Sequence, residues 1–150
     1  MLDFNRIENW QSEEMGEVRV KVKLTNAIDE ELVSCGLLNY NQLRYSKIEA
    51  WIDTSAVRSI IPMQLAQQLG LRIRSQQLAK YEDGRQEIVG ISGAIIIEIA
   101  GRETAEAALV TGDKVVIGKT ALLGLDLFVD CKNHCLIPNP KNPDAPVFRI

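Results

Sequence analysis

The sequence predicts an all-β barrel that carries one or two short helices. Residues 17–24 alternate apolar and charged side chains with the period of two that a β-strand requires. Residues 94–100 form a nearly continuous apolar run, which is typical of a buried strand. Further short apolar segments are separated by turn-forming residues, and many short strands of this kind favour a barrel.

The first half of the chain predicts two strands before a short helix. After the first strand, residues 26–31 have the pattern of a polar turn, and a weakly patterned stretch continues to residue 41. A second strand over residues 43–52 leads into Asp53, and residues 57–61 are again strand-like. Residues 62–70 predict a short helix, because Pro stands in its first turn and Gly at its C-terminal end.

The second half predicts a hairpin, more strands and an extended tail. Residues 76–82 and 85–91 flank Asp83-Gly84, a dipeptide suited to the positive φ angles of a tight turn. The run at 94–100 turns at Gly101-Arg102 into a strand that ends near Val110, and residues 115–117 form another. Residues 122–128 predict a short helix and residues 135–137 a last core strand. Three prolines within residues 138–143 predict an extended segment.

Length and charge exclude several classes of function. A chain of 150 residues fits one domain, and its net charge of −3 argues against a nucleic-acid-binding surface. No apolar run reaches the roughly 18 residues of a membrane helix, and the first residues lack a secretory signal pattern. We therefore expect a cytoplasmic protein without nucleic-acid or membrane partners. We expect a mobile arm at 1–14, a folded domain at 15–137 and a Pro-rich tail at 138–150.

The cysteines do not predict a disulfide framework or a metal site. The chain has an odd number of cysteines, Cys35, Cys131 and Cys135, and we expect them to stay reduced. His134 lies between the last two, so zinc has to be considered. A structural zinc site needs four ligands, and the segment offers no second Cys/His pair nearby. The sequence therefore predicts no metal and no other cofactor.

Asp53 follows directly on an apolar strand and is followed by Thr54, Ser55 and Ala56; we call these four residues the Asp53 motif. A carboxylate at the end of a buried strand must be hydrogen-bonded, paired or used, because burying an unpaired charge is costly. The turn supplies hydroxyls and backbone amides that can hold it in one orientation. Asp53 could also simply cap a turn, since Asp before Thr and Ser forms local hydrogen bonds readily.

The Asp53 motif resembles the Asp-Thr-Gly/Ser-Ala signature of the retropepsin-like aspartic proteases, the single-domain relatives of retroviral proteases. Leu-Leu-Gly at 122–124 looks like the second signature of that family, which crosses beneath the catalytic loop. Asp83-Gly84 falls where the family has its flap hairpin, and residues 95–101 are similar to the core strand after the flap. Residues 15–26 look like the opening strand of a prokaryotic branch. The resemblance thus covers roughly residues 15–137.

The sequence departs from the family pattern at two positions. Ser55 replaces the commoner Gly of the signature. Leu125 follows Gly124 where retroviral members usually have a polar residue, which places dimer-stabilising contacts there in question.

The resemblance implies a retropepsin-like acid-protease barrel that acts as a two-fold homodimer. Peptide hydrolysis by this chemistry needs two carboxylates that share one proton and activate a water molecule. The chain contains one such motif, because none of the other aspartates is followed by Thr or Ser and a small residue. Each subunit would therefore supply its own Asp53 at the two-fold axis.

The family resemblance also implies the supporting roles. Thr54 would form hydrogen bonds across the dimer axis, and Ser55 and Ala56 would let the substrate backbone approach. Gly124 would support the active-site loop from beneath. The flap hairpin, with Tyr81, Asp83 and Gly84, would close over a polypeptide substrate bound in an extended conformation.

Structural, non-catalytic interpretations of the same residues also stay open. Asp83-Gly84 can be a plain hairpin, and Tyr81 a half-buried strand aromatic. The whole chain can be a catalytically silent retropepsin-like dimer that binds or scaffolds peptides. Arg58 keeps this alternative open, because a cation near the paired carboxylates would favour two ionised groups over a shared proton.

Overall fold

The computed structural model describes residues 18–150, which fold into nine β-strands and three short α-helices. The strands are β1 (Arg19–Asn26), β2 (Tyr45–Ile52), β3 (Ile60–Ile61), β4 (Ile73–Lys80), β5 (Gln86–Ile99), β6 (Arg102–Val110), β7 (Val116–Ile117), β8 (Leu127–Asp130) and β9 (Cys135–Pro138). The helices are α1 (Ala27–Ser34), α2 (Met63–Gln68) and α3 (Lys119–Leu125). The predominance of strands is confirmed. The arm predicted at 1–14 lies outside the described residues.

Seven strands form one sheet in the order β1-β2-β7-β3-β6-β5-β4, and β8 pairs with β9 in a separate hairpin. β1 pairs on its second side with β5, so the first strand contacts two partners. Most neighbours are antiparallel, but β2 runs parallel to β7, and β3 runs parallel to β6. These two parallel pairs meet at β7 and β3, next to the end of β2 from which Asp53 emerges.

The alternation of the first strand is confirmed, and it builds one wall of the core. Val22 and Leu24 are buried, whereas Arg19 and Lys21 are exposed. Removing such apolar side chains from water stabilises the fold by about 25 cal/mol per Å². The largest fully buried side chains of the core come from strands, from helices and from residues next to them: Val18, Leu24, Ile61, Leu69, Ile95, Ile97, Ile117, Leu122, Leu125, Leu127 and Val129.

Helix α1 occupies the stretch that the sequence predicts as a polar turn. The Asn26 side chain caps the helix, because its oxygen accepts from the backbone N–H groups of Ile28 (3.0 Å) and Asp29 (3.1 Å). Asp29 is buried and forms two hydrogen bonds with the Arg44 guanidinium, at 2.8 and 3.0 Å. A partner 15 residues away therefore stabilises a helix whose apolar pattern is weak.

The hairpin predicted around Asp83-Gly84 is confirmed as β4 and β5. Gly84 has a φ of 88°, the left-handed region that glycine adopts without steric cost. β5 is longer than predicted, because the segments expected at 85–91 and 94–100 join into one strand with an irregularity in its pairing between Ile91 and Ala94. The helix predicted at 62–70 is also confirmed, as α2.

The chain after residue 118 differs from the prediction of a helix over 122–128. Helix α3 begins at Lys119 and ends at Leu125, since Asp126 adopts a left-handed φ of 54°. Residues beyond it pair with β9 as β8. Asp126 then holds the tail: its carboxylate accepts from the side chains of Asn139 and Asn142. Within residues 18–150, no helix is long and apolar enough to cross a membrane.

Candidate active site

Asp53 is the first residue after β2, and backbone hydrogen bonds fix its position. Its N–H donates to the carbonyl oxygen of Ile117 at 3.1 Å, which extends the parallel pairing of β2 and β7 by one residue. Its carbonyl oxygen accepts from the N–H of Ala56 at 3.2 Å, so the Asp53 motif forms a tight turn. Asp53 itself is half-buried. A strand thus delivers the carboxylate to a turn of defined geometry.

Local donors orient the Asp53 carboxylate. Its Oδ1 accepts from the backbone N–H of Ser55 at 2.9 Å and from the Ser55 hydroxyl at 2.6 Å. This is an Asx turn, so the turn-capping interpretation of Asp53 describes part of what the side chain does. The same side chain also lines a cleft, and capping alone does not account for that position.

The rest of the loop, residues 53–59, lies against the start of α3. The carbonyl oxygens of Ala56 and Val57 accept from the N–H groups of Lys119 (2.8 Å) and Thr120 (3.0 Å). Gly118 leaves the necessary room: a Cβ there would lie 2.6 Å from the carbonyl carbon and oxygen of Arg58. These bonds replace strand pairing, which explains why the strand predicted at 57–61 is reduced to the two residues of β3.

The segment that lies beside the Asp53 loop differs from the one that the family resemblance implies. Val-Ile-Gly at 116–118 occupies this position, as β7 and the residue after it. Gly124 instead lies in α3, where a Cβ would come within 2.4 Å of the Thr104 hydroxyl oxygen. Both segments consist of two apolar residues and a glycine, so the short pattern could not distinguish them.

A cleft of about 490 Å³ lies between the Asp53 loop and the hairpin of β4 and β5. The loop contributes five residues that line it: Asp53, Ser55, Ala56, Val57 and Arg58. The hairpin contributes seven: Gln77, Leu78, Ala79, Lys80, Tyr81, Glu82 and Val89. Ile60, Leu109 and Thr111 complete the wall. Of the predicted flap residues, Tyr81 therefore lines the cleft, while Asp83 and Gly84 form the exposed tip of the hairpin.

A carboxylate that the sequence did not single out ties the hairpin to the body of the domain. Glu87 on β5 accepts from the Tyr81 hydroxyl at 2.8 Å and from the Thr111 hydroxyl. The Thr111 and Tyr81 hydrogen bonds hold the pKa of Glu87 below its usual range, and the bond to Glu87 raises the pKa of Tyr81. Arg85 lies over the Tyr81 ring, 4.2 Å from its centroid. Tyr81 is thereby held at its hydroxyl group and on one face of its ring.

Thr54 lies within the turn and is 1% exposed. Among the described residues, its Oγ1 is buried and has no hydrogen-bond partner. A buried hydroxyl without a partner costs about 1–3 kcal/mol relative to a satisfied one.

No group of three or more His, Cys, Asp or Glu side chains among residues 18–150 is arranged to hold a metal ion. Cys35 is exposed, Cys131 and Cys135 are partly buried, and none of the three forms a disulfide among the described residues.

Comparison with known proteins finds similarity to solved structures. No protein-family model matches the chain, and no curated protein matches it. Among solved structures, the chain is similar to the retroviral protease-like domain of Ddi1 from Leishmania major, with 19% identity and a TM-score of 0.49. The likeness covers 88% of this chain and 95% of that domain. A likeness of this size does not identify an activity, so the chemistry of the cleft has to follow from its own residues.

Proposed function

We propose that the protein is an aspartic endopeptidase with a retropepsin-like barrel, active as a two-fold homodimer that brings together the Asp53 residues of two chains. The observation that carries this proposal is the position of Asp53: a carboxylate fixed by a tight turn, lining an open cleft opposite a β-hairpin. Hydrolytic chemistry needs a positioned acid or base in a site that a substrate can enter.

Two Asp53 carboxylates at one axis would act as the base and the acid of hydrolysis. At about 3 Å from each other, both cannot ionise easily, so one remains protonated. The ionised carboxylate takes a proton from water, and the water oxygen attacks the carbonyl carbon of the scissile peptide bond. The protonated carboxyl group polarises the carbonyl oxygen, and the carboxyl pair then protonates the amine nitrogen as the C–N bond breaks.

The buried Thr54 hydroxyl supports the dimer. A second copy across a two-fold axis brings the same turn against this one, and with it backbone groups that can pair with the hydroxyl. Because Thr54 is covered within a single chain, the turn has to shift as the two copies meet.

The substrate of this proposal is an extended polypeptide. The cleft lies between a loop and a hairpin, and its lining includes apolar side chains from both, such as Val57 and Val89. An extended peptide can pair with exposed strand edges and alternate its side chains between such walls. The hairpin acts as the flap, with Tyr81 on its inner side.

The decisive experiment compares the wild-type protein with Asp53→Asn on a diverse peptide mixture across acid to neutral pH, with cleavage measured by mass spectrometry. We expect the wild type to cut and Asp53→Asn to lose about 10³-fold or more of the rate. Asp113→Asn removes the same charge from an exposed turn and serves as the matched control. Equal cleavage by wild type and Asp53→Asn would refute the assignment.

The second candidate function is a silent dimeric peptide-binding module, and Arg58 favours it. Arg58 is exposed and lines the same cleft as Asp53. A guanidinium there stabilises ionised carboxylates and so disfavours the sharing of one proton between them. In this case the wild type leaves peptides uncut while peptides still bind to the intact dimer, and Arg58→Gln, which removes the cation, gains cleavage. Cleavage by the wild type would eliminate this candidate.

A further inference from the structure

We propose that Glu106 is a positioning residue that holds the Asp53 loop in its active geometry; this inference rests on the proposed function of Asp53. Glu106 lies on β6, opposite Ile95 of β5, and is half-buried. It is not among the residues that line the cleft. It therefore acts through the loop and not on a substrate.

The two oxygens of the Glu106 carboxylate bind two different segments. Oε2 accepts from the backbone N–H of Ser59, the last residue of the loop, at 3.0 Å. Oε1 accepts from the Thr120 hydroxyl at 2.6 Å, at the start of α3. Hydrogen bonds to a charged acceptor are roughly twice as strong as those between neutral groups. One side chain thus joins the end of the loop to the helix that supports it.

The Thr120 contact extends this link towards Asp53. The Thr120 Oγ1 lies 3.0 Å from the Val57 carbonyl oxygen, which also accepts from the Thr120 N–H at 3.0 Å. Glu106 therefore fixes the side chain that packs against the middle of the loop, as well as the amide at its end. Ser59 is held a second time, because its hydroxyl accepts from the N–H of Gly118 at 3.1 Å.

Glu106 matters because regular strand pairing contributes little to this loop. β3 is two residues long, so the loop depends on individual hydrogen bonds for its position. In a paired-carboxylate site, a displacement of about 1 Å can lower the rate by about 100-fold. Loss of Glu106 should therefore lower kcat while leaving KM nearly unchanged, because the cleft walls remain in place.

The test compares Glu106→Ala with Glu106→Gln, and uses Glu103→Ala on the same strand as the control, since Glu103 is exposed. We expect Glu106→Ala to lower kcat by about 10- to 100-fold. Glu106→Gln should retain most of kcat: its oxygen can accept from Ser59, and its NH₂ can donate to the Thr120 oxygen. Equal losses of kcat in both Glu106 variants would overturn the hydrogen-bond bridge, because they would show that kcat depends on the negative charge of Glu106 and not on its hydrogen bonds.

Amide hydrogen exchange gives a readout that does not depend on cleavage. We expect the Ser59 N–H to exchange at least about tenfold faster in Glu106→Ala than in wild type, Glu106→Gln or Glu103→Ala. Unchanged exchange in Glu106→Ala would refute the proposal. If the wild type cuts no peptide, the proposed function fails, and the exchange result still decides whether Glu106 holds the loop.

A second variant covers the case in which Glu106→Ala does not fold. Thr120→Val removes the hydroxyl and keeps the size and shape of the exposed side chain. We expect it to lower kcat in the same direction as Glu106→Ala, by a smaller factor, with the melting temperature close to wild type. Wild-type kcat in Thr120→Val would contradict the link through Thr120.

Discussion

At the scale of single residues, Thr54 and Gly118 show two different constraints on the same loop. Thr54 is a polar group that the described chain leaves without a partner. Gly118 is a position where any side chain would overlap backbone atoms of the loop, 2.6 Å away for Arg58 and 2.8 Å for Ala56. The first constraint concerns what the loop can bind, and the second concerns how closely it packs.

Replacing Thr54 by Val should separate the stability of one chain from the stability of the proposed dimer. Val keeps the shape of Thr and removes a buried hydroxyl that has no partner in residues 18–150, so the monomer should be unchanged or more stable. The dissociation constant of the proposed dimer should rise by about tenfold, because the hydroxyl no longer pairs across the axis. Sedimentation of wild type, Thr54→Val and Thr54→Ser measures this, with Thr54→Ser expected to behave as wild type. A dimer unaffected by Val would contradict a role for Thr54 at the axis.

Substituting Gly118 by Ala should displace the Asp53 loop. The new Cβ would overlap backbone atoms that cannot rotate away, so we expect a loss of about 1–3 kcal/mol in unfolding free energy and a clear loss of cleavage. Gly93→Ala is the control, because a Cβ there meets nothing closer than 3.8 Å. Urea unfolding of both variants checks the prediction. Equal stabilities for the two would show that the loop tolerates a side chain at 118.

At the scale of elements, α1 depends on an ion pair more than on an apolar face. Asp29 is buried, while the Arg44 side chain is 51% exposed, so the carboxylate depends on this partner. The Asn26 side chain also donates to the Leu69 carbonyl oxygen at 2.8 Å, beyond α2. Three separate parts of the chain therefore meet at the start of α1.

Acid should weaken this junction. The Arg44 hydrogen bond lowers the pKa of Asp29 against the opposing effect of burial. Because the folded pKa is lower than the unfolded value of about 3.9, the contribution is complete above that pH and is lost as pH falls through the folded pKa. At neutral pH, Asp29→Asn should cost about 1–3 kcal/mol, towards the lower end because water reaches Arg44.

Urea unfolding between pH 7 and pH 2 measures this effect. The stability of wild type should fall more steeply below about pH 4 than that of Asp29→Asn, because the variant has no carboxylate to protonate at this position. Asp113→Asn, at an exposed turn, should keep the wild-type slope. If the unfolding free energies of wild type and Asp29→Asn fall equally steeply in acid, Asp29 is excluded as a source of acid sensitivity.

At the scale of the whole molecule, local patterns predicted the features that local physics determines. The period of β1, the turn at Asp83-Gly84 and the position of Asp53 after β2 each follow from a few adjacent residues. Backbone geometry and side-chain alternation suffice for these features. They place the carboxylate and the hairpin in the correct order along the chain.

Features that depend on distant partners could not be predicted in the same way. Helix α1 needs Arg44, and the support of the Asp53 loop needs Glu106 and Gly118. A glutamate in an alternating strand has the pattern of a solvated residue until the loop that it binds is placed beside it. The choice between residues 116–118 and 122–124 likewise requires the pairing of β7 with β2.

The most general consequence of the proposal is that one chain carries half of an active site. Mixing wild type with an about ninefold excess of Asp53→Asn should lower activity per wild-type subunit about tenfold, since random pairing leaves about one dimer in a hundred with two intact subunits. Excess Asp113→Asn should leave the activity per active subunit unchanged. Subunits must first be exchanged by dilution and reconcentration. A monomeric enzyme would keep its full activity in the mixture, so this outcome would reject the shared site while leaving Asp53 itself as a catalytic candidate.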